Sequence, residues 1–167
     1  MGRTLPRHPA HLLGGLPARR AYREVLIALA VRHGRRLAGS TVAAWVDDEQ
    51  SRAGGRALWG IPKELGAITL SSDGRGSRGE LTAAGMPPVR VAYRDVLRLP
   101  FRLPARSHLV QQRPDGTECR VPARISGRPA LGRSRVTTGA GAPLSALARH
   151  RPLISVALRD FRGVVGR

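Results

Sequence analysis

The stretch Tyr22–Val31, YREVLIALAV, decides the fold class. Val25, Ile27, Leu29 and Val31 fall on one face, and Glu24, Leu26, Ala28 and Ala30 on the other. This period of two is that of an extended strand, whose successive side chains point to opposite sides. A turn near Gly34 follows, and Leu37–Val46, LAGSTVAAWV, reads as the antiparallel neighbour. Asp47, Asp48 and Glu49 then precede SRAGGRAL, where an aspartate N-cap and a short helix are expected.

Working outward, short strands are expected at Ala67–Ser71, Gly79–Ala83 and Val89–Val96, separated by the turn segments SSDGRGS and GMPP. Further strands are expected at His108–Gln112, Cys119–Ile125 and Arg133–Thr137, a short helix at Pro143–Arg149, and a long closing strand at Leu153–Val165. The pattern predicts a mainly β (β-rich α+β) domain with an antiparallel sheet, a barrel or sandwich, and few helices. Residues 1–20, broken by Pro6, Pro9, Gly14, Gly15 and Pro17, read as a poorly ordered basic arm, and 21–167 as one domain.

The chain has 167 residues, of which 41% are hydrophobic and 24% charged, so one domain with its own core is expected rather than disorder. No apolar run approaches about 18 residues, so no membrane partner is expected. Cys119 is the only cysteine, which excludes an intrachain disulfide and a cysteine-based zinc site. A cytoplasmic setting is the corresponding expectation. His8, His11, His33, His108 and His150 lack metal-ligand spacing.

A net charge of +18 favours a polyanionic partner when taken alone. Yet Arg, Gly, Pro and Ala are all abundant, as GC-rich codons produce, and aromatic residues are only 4% of the chain. Few bases could stack here, and nucleic acid is not the expected partner. The sharper signal is the one lysine, Lys63, among 28 arginines. Arginine replaces lysine as a solvated charge but not as a nucleophile, because its guanidinium keeps its proton. A chain that spends arginine everywhere else retains one amine.

That lysine ends the run Gly55-Arg56-Ala57-Leu58-Trp59-Gly60-Ile61-Pro62-Lys63. The run resembles the Gly-Arg-Glu-x-Trp-Gly-Phe-Pro-Lys signature of the acetoacetate decarboxylase family. Tyr22-Arg23-Glu24 is similar to the family's Tyr-x-Glu strand start, and Glu24 lies 39 positions before Lys63, which fits the family spacing. The tail at 151–161 also looks like the closing strand of bacterial relatives. The resemblance spans roughly residues 20–167 and is weakest between about 100 and 140.

The resemblance implies a cone-shaped β-barrel and a Schiff-base role for Lys63, with Glu24 as the carboxylate that assists it. A neutral lysine amine attacks a ketone, and the iminium formed is an electron sink for a departing carboxylate. No metal or organic cofactor is implied. Trp45, Trp59 and Ile61 are expected to wall the substrate pocket, and Arg56 to organise the loop before Lys63. The implied substrate is a small β-keto acid, the reaction decarboxylation, and the assembly a homo-oligomer. Aldol or dehydration chemistry on another keto acid, and a non-catalytic small-molecule-binding relative, stay open as alternatives.

Two departures from the family pattern bear on this. The position after Lys63 is Glu64, where the family's decarboxylases carry a second lysine, so one source of activation is replaced by an acid. Nothing in 1–21 matches the arginine and acid that the family places before its Tyr-x-Glu strand, so the domain is expected to lack the family's N-terminal part.

Overall fold

The computed structural model describes residues 22–139, 145–149, 152 and 154–165. The expected arm at 1–20 lies outside these, as do Pro143 and Leu153 at the starts of two expected elements.

The opening pair forms as its alternation requires. Strand β1 (Glu24–His33) pairs antiparallel with β2 (Arg36–Val46), and Gly34 turns the chain at φ +59°. Helix α1 (Glu49–Trp59) follows, with Asp48 as its N-cap and Gly60 as its left-handed C-cap. The chain then returns as β3 (Lys63–Leu65), which lies parallel to β2. Two hairpins build the next three strands, β4 (Ala67–Ser72), β5 (Gly76–Thr82) and β6 (Val89–Arg98). They are followed by β7 (Leu103–Gln112), β8 (Glu118–Thr138), α2 (Ser145–Arg149) and β9 (Ser155–Val165).

The strand order is β1-β2-β7-β8-β6-β5-β4, with β3 beside β2 and β9 beside β8. Two expectations need correction. The sheet is mixed rather than antiparallel, because β2 runs parallel to both β3 and β7. It is also not a closed barrel: no pairing among the described residues joins β1 to β4. The hairpins could be read from local alternation, but the parallel contacts join segments far apart in the chain.

The strands expected at Cys119–Ile125 and Arg133–Thr137 are one strand, β8. Its first half pairs with β7 through Gly127↔Leu103, and its second half with β6 from Ala130↔Arg98 onward. Strand β9 occupies the other edge, from Ala123 to Gly132. One long strand therefore joins the β1-β2-β7 part of the sheet to the β4-β5-β6 part.

Trp45, Leu81 and Val89 form the buried core cluster, packed by Val25, Ile27, Ile68 and Val136 among others. They come from β1, β2, β4, β5, β6 and β8, with Val25 and Ile27 of β1 and Ala43 and Trp45 of β2 as alternate residues. No described helix is long and apolar enough to cross a membrane.

Candidate active site

The other face of the β1–β2–β3 corner carries the site. Lys63 pairs with Ala44 across β2–β3, and Ala44 with Leu26 across β1–β2. Glu24, two residues before Leu26, shares that face. The register thus brings two side chains 39 positions apart together: Lys63 Nζ lies 3.1 Å from Glu24 Oε1. The Lys63 side chain is 3% exposed and that of Glu24 22%. A buried cation is costly unless it is paired, and this carboxylate is its ionic partner.

Helix α1 covers the lysine. Its Ser51 hydroxyl accepts a hydrogen bond from Nζ at 3.2 Å. Gly55, one turn further on, leaves room for the lysine stem: a Cβ there would lie 2.6 Å from Cδ and 2.7 Å from Cε. The Tyr22 ring sits 5.3 Å from Nζ, within cation–π range, and is itself exposed. The amine is therefore surrounded by a carboxylate, a hydroxyl and an aromatic face.

Two aspartates fix these elements. Asp48 accepts the Ser51 backbone N–H at 2.7 Å, which sets the first turn of α1. Asp47 accepts the Arg23 backbone N–H at 2.7 Å and its guanidinium at 3.2 Å, tying the start of β1 beside Glu24. The Arg23 backbone hydrogen bond, with the guanidinium, outweighs desolvation and holds the Asp47 carboxyl below its usual range.

The other sequence-derived site residues are spread more widely. Arg56 donates from Nη1 to the Lys63 carbonyl at 3.1 Å and to Glu64 at 2.7 Å. It clasps the Lys63 backbone and holds the adjacent acid, Glu64. Ile61 is buried two residues before Lys63, and its N–H bonds to Gly55 O at 3.0 Å. Trp59 is half-buried at the end of α1. Trp45 pairs with Glu64 rather than Lys63, so it points to the opposite face and fills the core. Ser51 was not singled out by the sequence reading. Its signal was the Ser51–Gly55 spacing, which puts a hydroxyl and a gap on one helix face.

A groove of about 770 Å³ lies elsewhere. Arg75, Arg78, Arg94, Arg133 and Arg135 line it, whereas Glu24, Ser51 and Lys63 do not. Among the described residues, no three His, Cys, Asp or Glu side chains gather as metal ligands.

With this geometry in place, comparison with known proteins is specific. The family model described as acetoacetate decarboxylase (ADC) matches residues 7–95, more than half of the chain, and the match includes Glu24, Ser51 and Lys63. The chain belongs to the acetoacetate decarboxylase family. A search of curated proteins by sequence finds no match.

Solved structures share the fold. The enduracididine biosynthesis enzyme MppR, complexed with pyruvate, is 18% identical with a TM-score of 0.59, over 86% of this chain and 61% of its own. An acetoacetate decarboxylase-like enzyme from Sphingomonas wittichii RW1 is 21% identical with a TM-score of 0.59, over 86% and 66%. Acetoacetate decarboxylase from Legionella pneumophila subsp. pneumophila str. Philadelphia 1 is 19% identical with a TM-score of 0.51, again over 86% and 66%. The chain thus spans less than two thirds of the length of these three proteins.

Proposed function

We propose that this acetoacetate decarboxylase family member forms a Schiff base between Lys63 and a small β-keto acid and decarboxylates it, with Glu24 moving the protons. The observation that carries this reading is the buried Lys63 Nζ, 3.1 Å from the Glu24 carboxylate, in a chain with no other lysine.

Glu24 takes one proton from the lysine ammonium. The neutral Nζ attacks the ketone carbon, the C–O π pair moves to oxygen, and an Nζ proton follows it, giving a carbinolamine. Glu24 returns its proton to the hydroxyl, which leaves as water, and the iminium forms. The C–C bond to the carboxylate then breaks. Carbon dioxide leaves, and the bonding pair enters the iminium to give an enamine. Protonation at carbon and hydrolysis release the ketone and restore the lysine. No cofactor enters this scheme, because the iminium is the electron sink. Tyr22 is the exposed group over Nζ, and its displacement opens the amine to substrate.

Two observations support this reading. Glu64, the acid next to Lys63, is the opposite-face neighbour on β3 and is held by Arg56 at 2.7 Å, so it does not compete for the amine. Similarity to a pyruvate-bound enzyme also fits a keto-acid substrate. The proposed protein works in the cytoplasm as a homo-oligomer, in which exposed Leu37 and Val96 supply apolar surface.

The test is incubation with acetoacetate, or separately with pyruvate, followed by borohydride and intact-mass measurement. The expected result is a reduced adduct on the wild type and none on Lys63→Arg. An adduct that has lost the mass of carbon dioxide identifies decarboxylation, and one that retains it favours aldol or dehydration chemistry. A folded protein that forms no adduct with a panel of keto acids is a non-catalytic relative.

A further inference from the structure

Helix α1 offers the lysine two features on one face: the Ser51 hydroxyl at 3.2 Å from Nζ, and the gap at Gly55 that receives the lysine stem. The Ser51 backbone is itself fixed, since its N–H is held by the Asp48 carboxylate at 2.7 Å. A serine placed this rigidly against a buried amine is more than a filler of space.

We propose that Ser51 is a positioning residue for Lys63, whose hydroxyl holds one hydrogen of the amine and so sets where the nitrogen lone pair points. The inference rests on the Schiff-base reading of Lys63.

An ammonium group has three N–H donors. Here one faces Ser51 and the carboxylate of Glu24 lies beside the group at 3.1 Å. Once Glu24 has taken a proton, the nitrogen keeps two hydrogens and gains a lone pair. Protonated Glu24 offers an O–H donor and still has one acceptor oxygen. Left to itself, the lone pair would turn into that O–H and be blocked.

With Ser51 as a second acceptor, both remaining hydrogens are held, one on each neighbour. The lone pair then takes the third direction, away from both groups. In the step that Ser51 serves, this pair forms the Nζ–C bond, the carbonyl π pair moves to oxygen, and one Nζ proton follows it there. Ser51 gains and loses no proton overall.

The test uses the full chain, with Ser51→Ala to remove the hydroxyl and Ser51→Thr to retain one. Thermal melts establish that each variant is folded. Borohydride trapping with acetoacetate and pyruvate is followed against time. The expected result is that Ser51→Ala forms adduct about tenfold more slowly, as loss of one hydrogen bond predicts, yet reaches the wild-type amount, and that Ser51→Thr recovers most of the rate. Ser51→Ala at the wild-type rate overturns the proposal, and so does Ser51→Thr as slow as Ser51→Ala. Both results leave the Schiff base itself standing.

If the wild type traps no keto acid, the Schiff-base reading fails, and potassium cyanate then tests Ser51 separately. Carbamylation of Lys63, located by peptide mapping, reports the same lone pair without any ketone. Slower carbamylation in Ser51→Ala, restored in Ser51→Thr, upholds the positioning role. Equal rates overturn it.

Discussion

Gly55 shows how a residue with no side chain can govern where a buried lysine lies. It lies inside a helix, where glycine costs roughly 1 kcal/mol relative to alanine. Alanine would nevertheless place its Cβ 2.6 Å from Lys63 Cδ, so the lysine stem would have to move. That stem is flexible, and its displacement costs less than a backbone clash. It would carry Nζ away from Glu24 and Ser51. Gly55→Ala is therefore expected to leave the melting temperature within a few degrees of wild type, the gain in helix propensity offsetting the strain. Borohydride-trapped adduct should form at least about tenfold more slowly, the loss associated with misplacing a reacting group. A Gly55→Ala protein that traps substrate at the wild-type rate would show that the lysine does not need this slot. The same residue marks what the sequence could convey. Lys63 and Glu24 were legible from a motif and a spacing. Ser51 was not, because only the packing of α1 on β3 brings its hydroxyl to the amine. An apolar residue such as Trp45 can wall a pocket or fill a core, and the sequence does not say which. Its true side depends on the parallel β2–β3 register, which pairs it with Glu64.

At the scale of elements, α1 is a lid fastened at both ends. Asp48 holds its first turn, and at the other end the N–H groups of Gly60 and Ile61 bond to the carbonyls of Arg56 at 3.1 Å and Gly55 at 3.0 Å. Gly60 has a φ of +65°, and a Cβ there would lie 2.4 Å from the Gln112 carbonyl oxygen at the end of β7. Gly60→Ala meets a left-handed backbone and a rigid neighbour together. Its expected cost is about 2–3 kcal/mol in urea unfolding, in the range for strained non-glycine positions. Asp48→Ala removes only the cap and should cost about 1 kcal/mol. Its effect on trapping should resemble a mild form of Ser51→Ala, because it frees the turn that carries the serine. The cap and helix were legible because such signals are local, as was the alternation of β1 and β2. Strand β3 was not legible, since three residues cannot show a period. Gly127, Pro129 and Gly132 ordinarily signal breaks, so local pattern does not predict the single strand β8. They lie where its partner changes from β7 to β6, with β9 along the other edge on both sides of a register shift between Ser126 and Arg128. Pairing on that edge overrides the local signals.

Across the whole molecule, acids are scarce and work mainly as ties between arginines. Asp47 holds Arg23, Glu64 holds Arg56, and Glu80 holds Arg90. Most of these pairs are exposed, so each contributes little to stability. Asp95 on β6 is different. Its side chain is 6% exposed, and its Oδ2 accepts from Arg98 and from Arg159 of β9, each at 2.6 Å. Both arginines also donate to the Gly74 carbonyl in the β4–β5 turn. The cluster joins three segments that sequence order keeps apart. Burial pushes the Asp95 carboxyl upward, but the hydrogen bonds and charges of Arg98 and Arg159 outweigh it and hold the carboxyl below its usual range. A carboxyl with a depressed folded pKa stabilises the protein above the unfolded value, near 3.9, and loses that contribution as pH falls through the folded value. Asp47, Asp73 and Asp115 are depressed too, so the wild-type acid transition is a sum. Asp95→Asn isolates one contribution. At pH 7 the variant should be less stable by about 2 kcal/mol, below the usual range for breaking a buried pair because Arg98 and Arg159 are partly solvated. As pH falls below about 4, wild type should lose stability faster than the variant, so that the gap between the two urea curves narrows. A gap that stays constant from pH 7 to 3 would mean that Asp95 acts through packing and that charge is not what joins β6 to β9.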